Sequence, residues 1–159
     1  MGQMKKAEVL IHIGYHKTST TWFQKFLFNN SAIRFILPWR NPEILPVLVY
    51  PHALDFAPHT CRKYFQAAIL EAQNCGLIPA LSSEELSGNP HSGGYASKEL
   101  ADRLAAVFPE AKVLIVIREQ KSMIVSTYKQ YVKVGGTYSL ANYLQPPVRG
   151  RERIPLFTV

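Results

Sequence analysis

Apolar positions follow two different spacings along this chain, and each change of spacing marks a new element. Short continuous apolar runs, such as VLIHI at 9–13 and KVLIVI at 112–117, are typical of strands buried on both faces of a parallel sheet. Between them, apolar residues spaced three and four apart predict helices. The predicted strands are 8–14, 32–38, 77–83 and 111–118, and the predicted helices are 20–30, 60–76, 97–109 and 121–133.

Strands that alternate with helices predict an α/β fold in three layers, with a mostly parallel sheet and helices on both of its faces.

Three segments lack a clear period. The stretch 38–58 holds five of the eleven prolines and is expected to be irregular and to face a substrate. We expect 84–97 to be a polar loop, and the chain from 137 onward shows little periodicity. The expected helix caps are Thr60, Ser97 and Gly76.

Composition narrows the class of protein. A chain of 159 residues that is 47% hydrophobic and 18% charged is expected to fold as one domain, 1–159, rather than remain disordered. Cys61 and Cys75 lie about four helical turns apart, roughly 20 Å, so both are expected to be free thiols. No apolar run is long enough for a membrane anchor or a signal peptide, which favours a cytoplasmic protein that does not bind membranes.

The stretch GYHKTSTTWFQ, 14–24, is the first candidate binding site. It joins a predicted strand to a predicted helix, an arrangement that aims backbone N–H groups and the positive end of the helix dipole at an anion. The net charge of +7 also suits an anionic ligand. An alternative is that the hydroxyl groups only cap the helix. The side chains that could bind the anion are Lys17, Thr18, Ser19, Thr20 and Thr21.

The second candidate site is VLIVIREQKSMIVSTY, 113–128. Arg118 follows a buried strand, at the sheet edge where ligands bind in open parallel folds. Its guanidinium group can bind a phosphate through two parallel hydrogen bonds, and Ser126 adds a hydroxyl two helical turns later. Taken alone, a surface arginine followed by a serine bonded to its own helix explains these residues better than a phosphate site does.

Together these segments resemble the sulfotransferase family. IHIGYHKTSTTWFQ is similar to its 5′-phosphosulfate-binding loop, VLIVIREQKSMIVSTY to its 3′-phosphate-binding strand and helix, and LSSEEL to the segment between them. The order and spacing of the blocks are preserved over roughly 7–145. The resemblance implies a P-loop-like fold and transfer of a sulfuryl group from 3′-phosphoadenosine 5′-phosphosulfate to a hydroxyl or amine of a carbohydrate or small molecule. It implies no metal ion and no nucleic-acid partner, and it leaves the oligomeric state open.

The resemblance also assigns roles to individual residues. Lys17 would be a catalytic residue, and the catalytic base would be Glu84, with His91 as the other candidate. The residues implied to bind the donor are Lys17, Thr18, Ser19, Thr20 and Thr21 for the phosphosulfate, and Arg118 and Ser126 for the 3′-phosphate.

The chain departs from the family in three ways, the smallest being Gln120 at a position where proline is common. The family loop usually carries glycine where Ser19 stands, so a left-handed backbone there would be strained by about 1 kcal/mol or more. The family enzymes are also longer, which predicts an amino-terminal portion of such an enzyme. Two alternatives stay open: a small-molecule kinase or nucleoside triphosphatase with a degenerate loop, and a remnant that binds anions without catalysis.

Overall fold

A four-stranded parallel sheet organises the chain in the computed structural model, which describes residues 9–15, 17–88 and 96–145. The strand order is β2-β3-β1-β4, and all three neighbouring pairs run parallel. In chain order the strands are β1 (Leu10–Gly14), β2 (Phe35–Ile36), β3 (Ile78–Ser83) and β4 (Lys112–Val116). The α-helices are α1 (Thr20–Trp22), α2 (Asn41–Ile44), α3 (Pro58–Asn74), α4 (Ser97–Val107), α5 (Gln120–Lys133) and α6 (Leu140–Leu144).

Shorter helical segments extend these elements. Helix α1 continues as a π-helical turn, Phe23–Leu27, and α2 continues as another, Leu45–Val49. A 3-10 turn, Ser31–Ile33, precedes β2, and a second, Glu84–Ser87, follows β3 directly. The α/β class and the parallel sheet predicted from the sequence are therefore confirmed. No helix in the described part of the chain is both long and apolar enough to cross a bilayer.

One face of the sheet carries the main hydrophobic core. Ile11 of β1 pairs in register with Leu81 of β3, and both side chains are almost completely buried. Residues at paired positions point to the same face, so these side chains form a continuous apolar surface. The helical residues packed in the same cluster are Ile44, Leu48, Cys61, Phe65, Leu104 and Val107.

The opposite face of β1 buries a histidine. His12 has no solvent exposure, and its Nδ1 lies 2.8 Å from the Ser82 Oγ on β3. The rings of Phe23 and Phe28 lie against it, with centroids 5.1 and 5.0 Å away. Its Nε2 has no partner among the described residues. Burial among these apolar rings lowers the pKa of His12 from 6.5 to about 4, so the imidazole is neutral at physiological pH.

Strand β4 leaves an apolar strip uncovered by the described residues. Val113 pairs with Ile11 and Ile115 with Ile13, so both lie on the face that carries the core. Yet Val113 is 54% exposed and Ile115 is 55% exposed. The core face therefore extends past the helices that cover it.

A tyrosine cluster joins α6 to α5. The hydroxyl oxygen of Tyr131 accepts hydrogen bonds from the N–H groups of Thr137 and Tyr138, each at 3.1 Å. The Tyr128 hydroxyl donates to the Tyr138 carbonyl at 3.0 Å, and the Tyr143 ring packs 5.1 Å from that of Tyr131. These contacts, rather than the main core, order the chain after α5.

Several predictions of local structure were wrong. The stretch 38–58 is not irregular, because α2 and the following π-helical turn occupy its middle. Thr60 does not cap α3, since Pro58 takes the first helical position, where its missing N–H is no loss. Ser97 lies inside α4, and its hydroxyl donates to the Ser87 carbonyl instead. Helix α6 was missed altogether.

Other local predictions hold. Gly76 ends α3 with a φ of 67°, and its N–H donates to the Gln73 carbonyl. The next N–H, from Leu77, donates to the Ala72 carbonyl, which completes the common glycine-terminated motif. Cys61 and Cys75 are free thiols, as expected from their spacing. Burial raises the pKa of the Cys61 thiol to about 11.

The buried His12 predicts a pH-dependent stability. The unfolded chain binds a proton at this imidazole near pH 6.5 and the folded chain only near pH 4. Between these values the unfolded state binds more protons, so lowering the pH should decrease the unfolding free energy by up to about 3 kcal/mol. Urea denaturation of the wild type and of His12→Asn between pH 7 and 4.5 measures this difference.

The control for that measurement is His59→Asn, which alters an exposed histidine on α3. We expect His59→Asn to follow the wild-type pH profile and His12→Asn to lose the decrease. Equal slopes for the wild type and His12→Asn would contradict the burial of a neutral His12.

Candidate functional site

The loop after β1 has an unusual backbone. Lys17 has a φ of 69° and Ser19 a φ of 66°, so two non-glycine residues lie in the left-handed region within three positions. The Ser19 carbonyl then accepts the N–H groups of Trp22 and Phe23, which starts the helix. Turns of this kind gather backbone N–H groups into concave anion sites. No acceptor among the described residues takes the N–H groups of Ser19, Thr20 or Thr21.

The side chains of the loop divide into two groups. Lys17, Ser19 and Thr21 are exposed, so a ligand could reach them. Thr18 is buried, and its hydroxyl donates a short hydrogen bond to the Tyr15 carbonyl. The Thr20 hydroxyl is also buried and has no partner among the described residues. The structure therefore presents the ammonium of Lys17 and two of the four predicted hydroxyl groups to solvent, and it uses Thr18 to close the turn.

Gly14 allows the loop to fold back on the strand. A Cβ atom at this position would lie 2.3 Å from the Thr20 Oγ1 and 3.1 Å from the Thr18 Oγ1. It would also lie 3.2 Å from the Cε1 atom of the buried His12 ring. The glycine is thus required by close packing, because its φ is not in the left-handed region. The loop, the start of α1 and His12 meet at this one point.

Strand pairing brings the two predicted motifs together. Gly14 at the end of β1 pairs with Val116 at the end of β4, and the Tyr15 N–H donates to the Val116 carbonyl at 3.1 Å. Arg118 follows two residues later. Its Nη1 donates to the Lys17 carbonyl at 3.1 Å, across 101 positions of sequence. Arg118 and the loop of Lys17 are therefore in direct contact at the carboxyl edge of the sheet.

Ser122 and Glu119 orient the guanidinium group. The Arg118 Nε donates to the Ser122 Oγ at 3.1 Å, and the Ser122 hydroxyl donates to the Glu119 carbonyl at 3.0 Å. Of the five N–H donors of Arg118, three remain without an acceptor among the described residues. Ser126, predicted to bind the 3′-phosphate with Arg118, lies one helical turn beyond Ser122 on α5, and Ser122 is the serine that contacts Arg118.

The Glu119 carboxylate occupies the amino terminus of α5. The Glu119 carboxylate accepts the N–H groups of Ser122 at 2.7 Å and Lys121 at 2.8 Å. These hydrogen bonds, with a smaller contribution from the charge of Arg118, hold the pKa of Glu119 below its usual value. A phosphate bound here would rely on the Arg118 side chain, because the N–H groups of Lys121 and Ser122 are occupied.

Glu84 lies at the same edge of the sheet. Ile13 pairs with Ser83, so Glu84 stands level with Gly14 at the base of the loop. The turn that carries it is well fixed: Ser83 Oγ accepts the Glu85 N–H at 3.2 Å, and the Ser87 hydroxyl donates to the Glu84 carbonyl at 2.7 Å. The other candidate base, His91, lies outside the described residues.

The sequence patterns missed four residues of this region. Tyr15, Ser122 and Glu119 act through the contacts described above, and His12 packs beneath the loop. Glu119 caps α5, which begins at Gln120, one residue earlier than the predicted helix 121–133. Within the described residues, no group of three or more His, Cys, Asp or Glu side chains could bind a metal ion.

The contact at Gly14 predicts a specific pattern of stability. Gly14→Ala should destabilise the fold by about 1–3 kcal/mol, because its methyl group overlaps the Thr20 hydroxyl. Adding Thr20→Ala removes the overlapping oxygen and should restore part of the loss. Denaturant unfolding of the two single variants and the double variant gives the coupling energy. Additive effects of the two substitutions would show that this contact is absent.

The left-handed Ser19 predicts a stabilising substitution. Ser19→Gly should raise the unfolding free energy by about 1 kcal/mol, because glycine adopts a φ of 66° without strain. The Ser19 side chain makes no capping hydrogen bond, so its removal should cost little. Ser19→Ala is the matched control: it also lacks the hydroxyl, keeps the strain and should be close to wild type. A loss of stability in Ser19→Gly would contradict the loop conformation.

Comparison with protein-family models, with curated proteins and with solved structures finds no match to this chain. What the site can do therefore has to be inferred from its own chemistry. That chemistry consists of an exposed ammonium at Lys17 on a strained turn and a guanidinium at Arg118 bonded to that turn. A carboxylate at Glu84 follows the adjacent strand.

Proposed function

We propose that this chain binds 3′-phosphoadenosine 5′-phosphosulfate and transfers its sulfuryl group to a hydroxyl or amine. The observation that carries the proposal is the hydrogen bond from the Arg118 Nη1 to the Lys17 carbonyl. It joins the two segments that resemble the 5′-phosphosulfate loop and the 3′-phosphate strand of sulfotransferases. The donor carries anionic groups at both positions, and two adjacent cationic groups suit such a ligand.

The residues fit the two ends of this donor in different ways. The turn at Lys17 and Ser19 suits the 5′-phosphosulfate, because the N–H groups of Ser19, Thr20 and Thr21 have no acceptor within the described part of the chain. The remaining donors of Arg118 suit the 3′-phosphate, and Ser122 keeps the guanidinium group oriented. Thr18 and Thr20 would shape the loop from below, while Ser19 and Thr21 can reach a ligand. Ser126 would bind the 3′-phosphate only if that group extends along α5.

The bound donor would supply the sulfuryl group and a 3′,5′-bisphosphate as the leaving group. The ammonium of Lys17 would neutralise the negative charge that develops on the leaving oxygen, which is the main contribution a protein can make to such a transfer. Glu84, at the end of β3 and level with Gly14, would accept the proton of the attacking hydroxyl or amine. Both roles use the carboxyl edge of one sheet.

The finer features of the fold and setting are part of the proposal. We infer a three-layer, P-loop-like domain, with the core helices on one face and the Phe23 and Phe28 segment against His12 on the other. The domain would act in the cytoplasm on a small-molecule or carbohydrate acceptor. The reaction would need no metal ion, nucleic acid or membrane.

Two other functions make different predictions. A small-molecule kinase or nucleoside triphosphatase with a degenerate loop would bind ATP with Mg²⁺ in preference to the bisphosphate. A remnant that binds anions only through its net charge would not depend on any single cation. The contact between Lys17 and Arg118 favours a ligand with two anionic groups over both alternatives.

Isothermal titration with 3′-phosphoadenosine 5′-phosphate tests the proposal. Lys17→Ala and Arg118→Ala should each weaken binding at least tenfold, because each removes one charge-assisted contact with an anionic group. The matched control is Lys133→Ala, which removes the same charge in the last turn of α5, about 20 Å from its start. ATP with Mg²⁺ serves as the competing ligand.

Three outcomes would overturn the proposal. Tighter binding of ATP with Mg²⁺ would favour the kinase, and equal weakening by all three variants would favour a general effect of charge. An absence of bisphosphate binding by the wild-type chain would reject the donor assignment altogether.

A further inference from the structure

A cavity separate from the loop of Lys17 opens between α4 and the segment that follows the second π-helical turn. Its volume is about 350 Å³, within the range of about 300–1,000 Å³ typical of small-molecule sites. One wall is Val49 to Ala53, and the other is formed by the first two turns of α4. The polar residues that line it are Tyr50, His52, Glu99 and Arg103.

A buried arginine fixes the first wall. Arg103 is only 5% exposed, and its Nη1 donates to the carbonyls of Leu48 at 3.0 Å and Val49 at 3.1 Å. Its Nη2 donates to the Pro51 carbonyl at 2.7 Å. The Phe56 ring lies 4.6 Å from the guanidinium carbon, which adds a cation–π contact. One side chain thus binds three carbonyls within four residues, Leu48 to Pro51, and preorganises the segment that carries Tyr50 and His52.

Arg103 and Glu99 form an ion pair, so together they add no net charge to the cavity. The Arg103 Nη2 also donates to the Glu99 Oε1, and the Glu99 side chain is 48% exposed. Because the two charges cancel locally, neither a strongly anionic nor a strongly cationic ligand is favoured. The carboxylate still has lone pairs that can accept hydrogen bonds from a neutral ligand.

The other polar residues offer donors as well as acceptors. The His52 Nδ1 accepts the Leu54 N–H at 3.3 Å, so in the neutral ring the Nε2 carries the proton and is a donor. Tyr50 is 66% exposed and adds an aromatic face and a hydroxyl. Neutral hydroxyl groups both donate and accept, so several hydroxyls on a ring match this set. An ammonium group cannot accept, and a simple phenol has only one hydroxyl.

The cavity lies on the side of the sheet where the proposed reaction would occur. Helix α4 follows β3, so its first turns are at the carboxyl edge, as are Glu84 and Lys17. Two hydrogen bonds connect the regions: the Ser87 hydroxyl donates to the Glu84 carbonyl, and the Ser97 hydroxyl donates to the Ser87 carbonyl, both at 2.7 Å. Glu99 follows two residues after Ser97.

We propose that this cavity binds the sulfuryl acceptor and that the acceptor is a neutral ring with several hydroxyl groups, such as a sugar. The identification of this ligand as the acceptor rests on the proposed sulfotransferase function. The binding of such a ring to the cavity does not depend on that function. The Tyr50 face would stack on the ring, and Glu99 and His52 would bind its hydroxyls. The hydrogen bonds from Arg103 to the backbone carbonyls would hold that wall in place before the ring binds.

Saturation-transfer NMR tests the proposal with three probes: methyl β-glucoside, p-nitrophenol and butylamine. The glucoside should bind the wild-type chain, and Tyr50→Ala should decrease its affinity at least fivefold. Tyr64→Ala is the matched control, since it removes another exposed tyrosine, on α3, that does not line the cavity. Melting temperatures of both variants within about 2 °C of wild type would exclude unfolding as the cause.

The result that would overturn the proposal is preference for phenol or amine, no glucoside binding, or equal affinity of wild type and Tyr50→Ala. Because the donor is absent from this experiment, its outcome is separate from bisphosphate binding. Glucoside binding without bisphosphate binding would keep the cavity assignment and reject the donor. The reverse result would keep the donor and reject the sugar-like acceptor.

Discussion

The candidate site depends on one hydrogen bond, from the Arg118 guanidinium to the Lys17 carbonyl. It forms because β1 and β4 are neighbours in a parallel sheet, with Gly14 paired to Val116 at the ends of the two strands. Each chain segment that leaves this edge carries a cationic residue, and the pairing brings the Arg118 guanidinium into contact with the backbone of the Lys17 loop. The proposed function needs this arrangement, since two cations on different faces could not bind one small ligand.

The loop keeps its shape because the packing beneath it is unusually close. Gly14 leaves no room for a side chain between the strand and the start of α1, and Thr18 closes the turn onto Tyr15. His12 fills the space below with a neutral, buried ring bonded to Ser82. Lys17 and Ser19 therefore keep a left-handed backbone conformation although neither is a glycine. Strain of this kind persists only where surrounding contacts determine the backbone, and it is common at binding sites.

The sequence predicted the positions of the strands well, because each strand lies in a short apolar run. The expected burial on both faces fails for β4, where Val113 and Ile115 are more than half exposed. It failed at 38–58, where prolines at helix starts were mistaken for breaks, and at α6, which depends on tyrosine contacts rather than on an amphipathic pattern. A common site for Lys17 and Arg118 was expected from the resemblance and from the position of each motif after a predicted strand, and the strand order that brings them together was not predicted. The roles of Thr18, Thr20 and Ser122 could not be predicted, since burial and hydrogen-bond partners depend on tertiary contacts that no local spacing contains.

The central claim is that Lys17 and Arg118 bind the two anionic groups of one ligand. Its most direct test is a phosphorus NMR titration of 3′-phosphoadenosine 5′-phosphate with the wild-type chain. The account predicts that the 3′- and 5′-phosphorus resonances both shift and that the two titration curves give one dissociation constant. It also predicts that Arg118→Lys, which keeps the charge but loses the planar fork, changes mainly the 3′ resonance of the bound ligand. A shift of only one resonance, or of neither, would contradict the claim that Lys17 and Arg118 bind the same molecule.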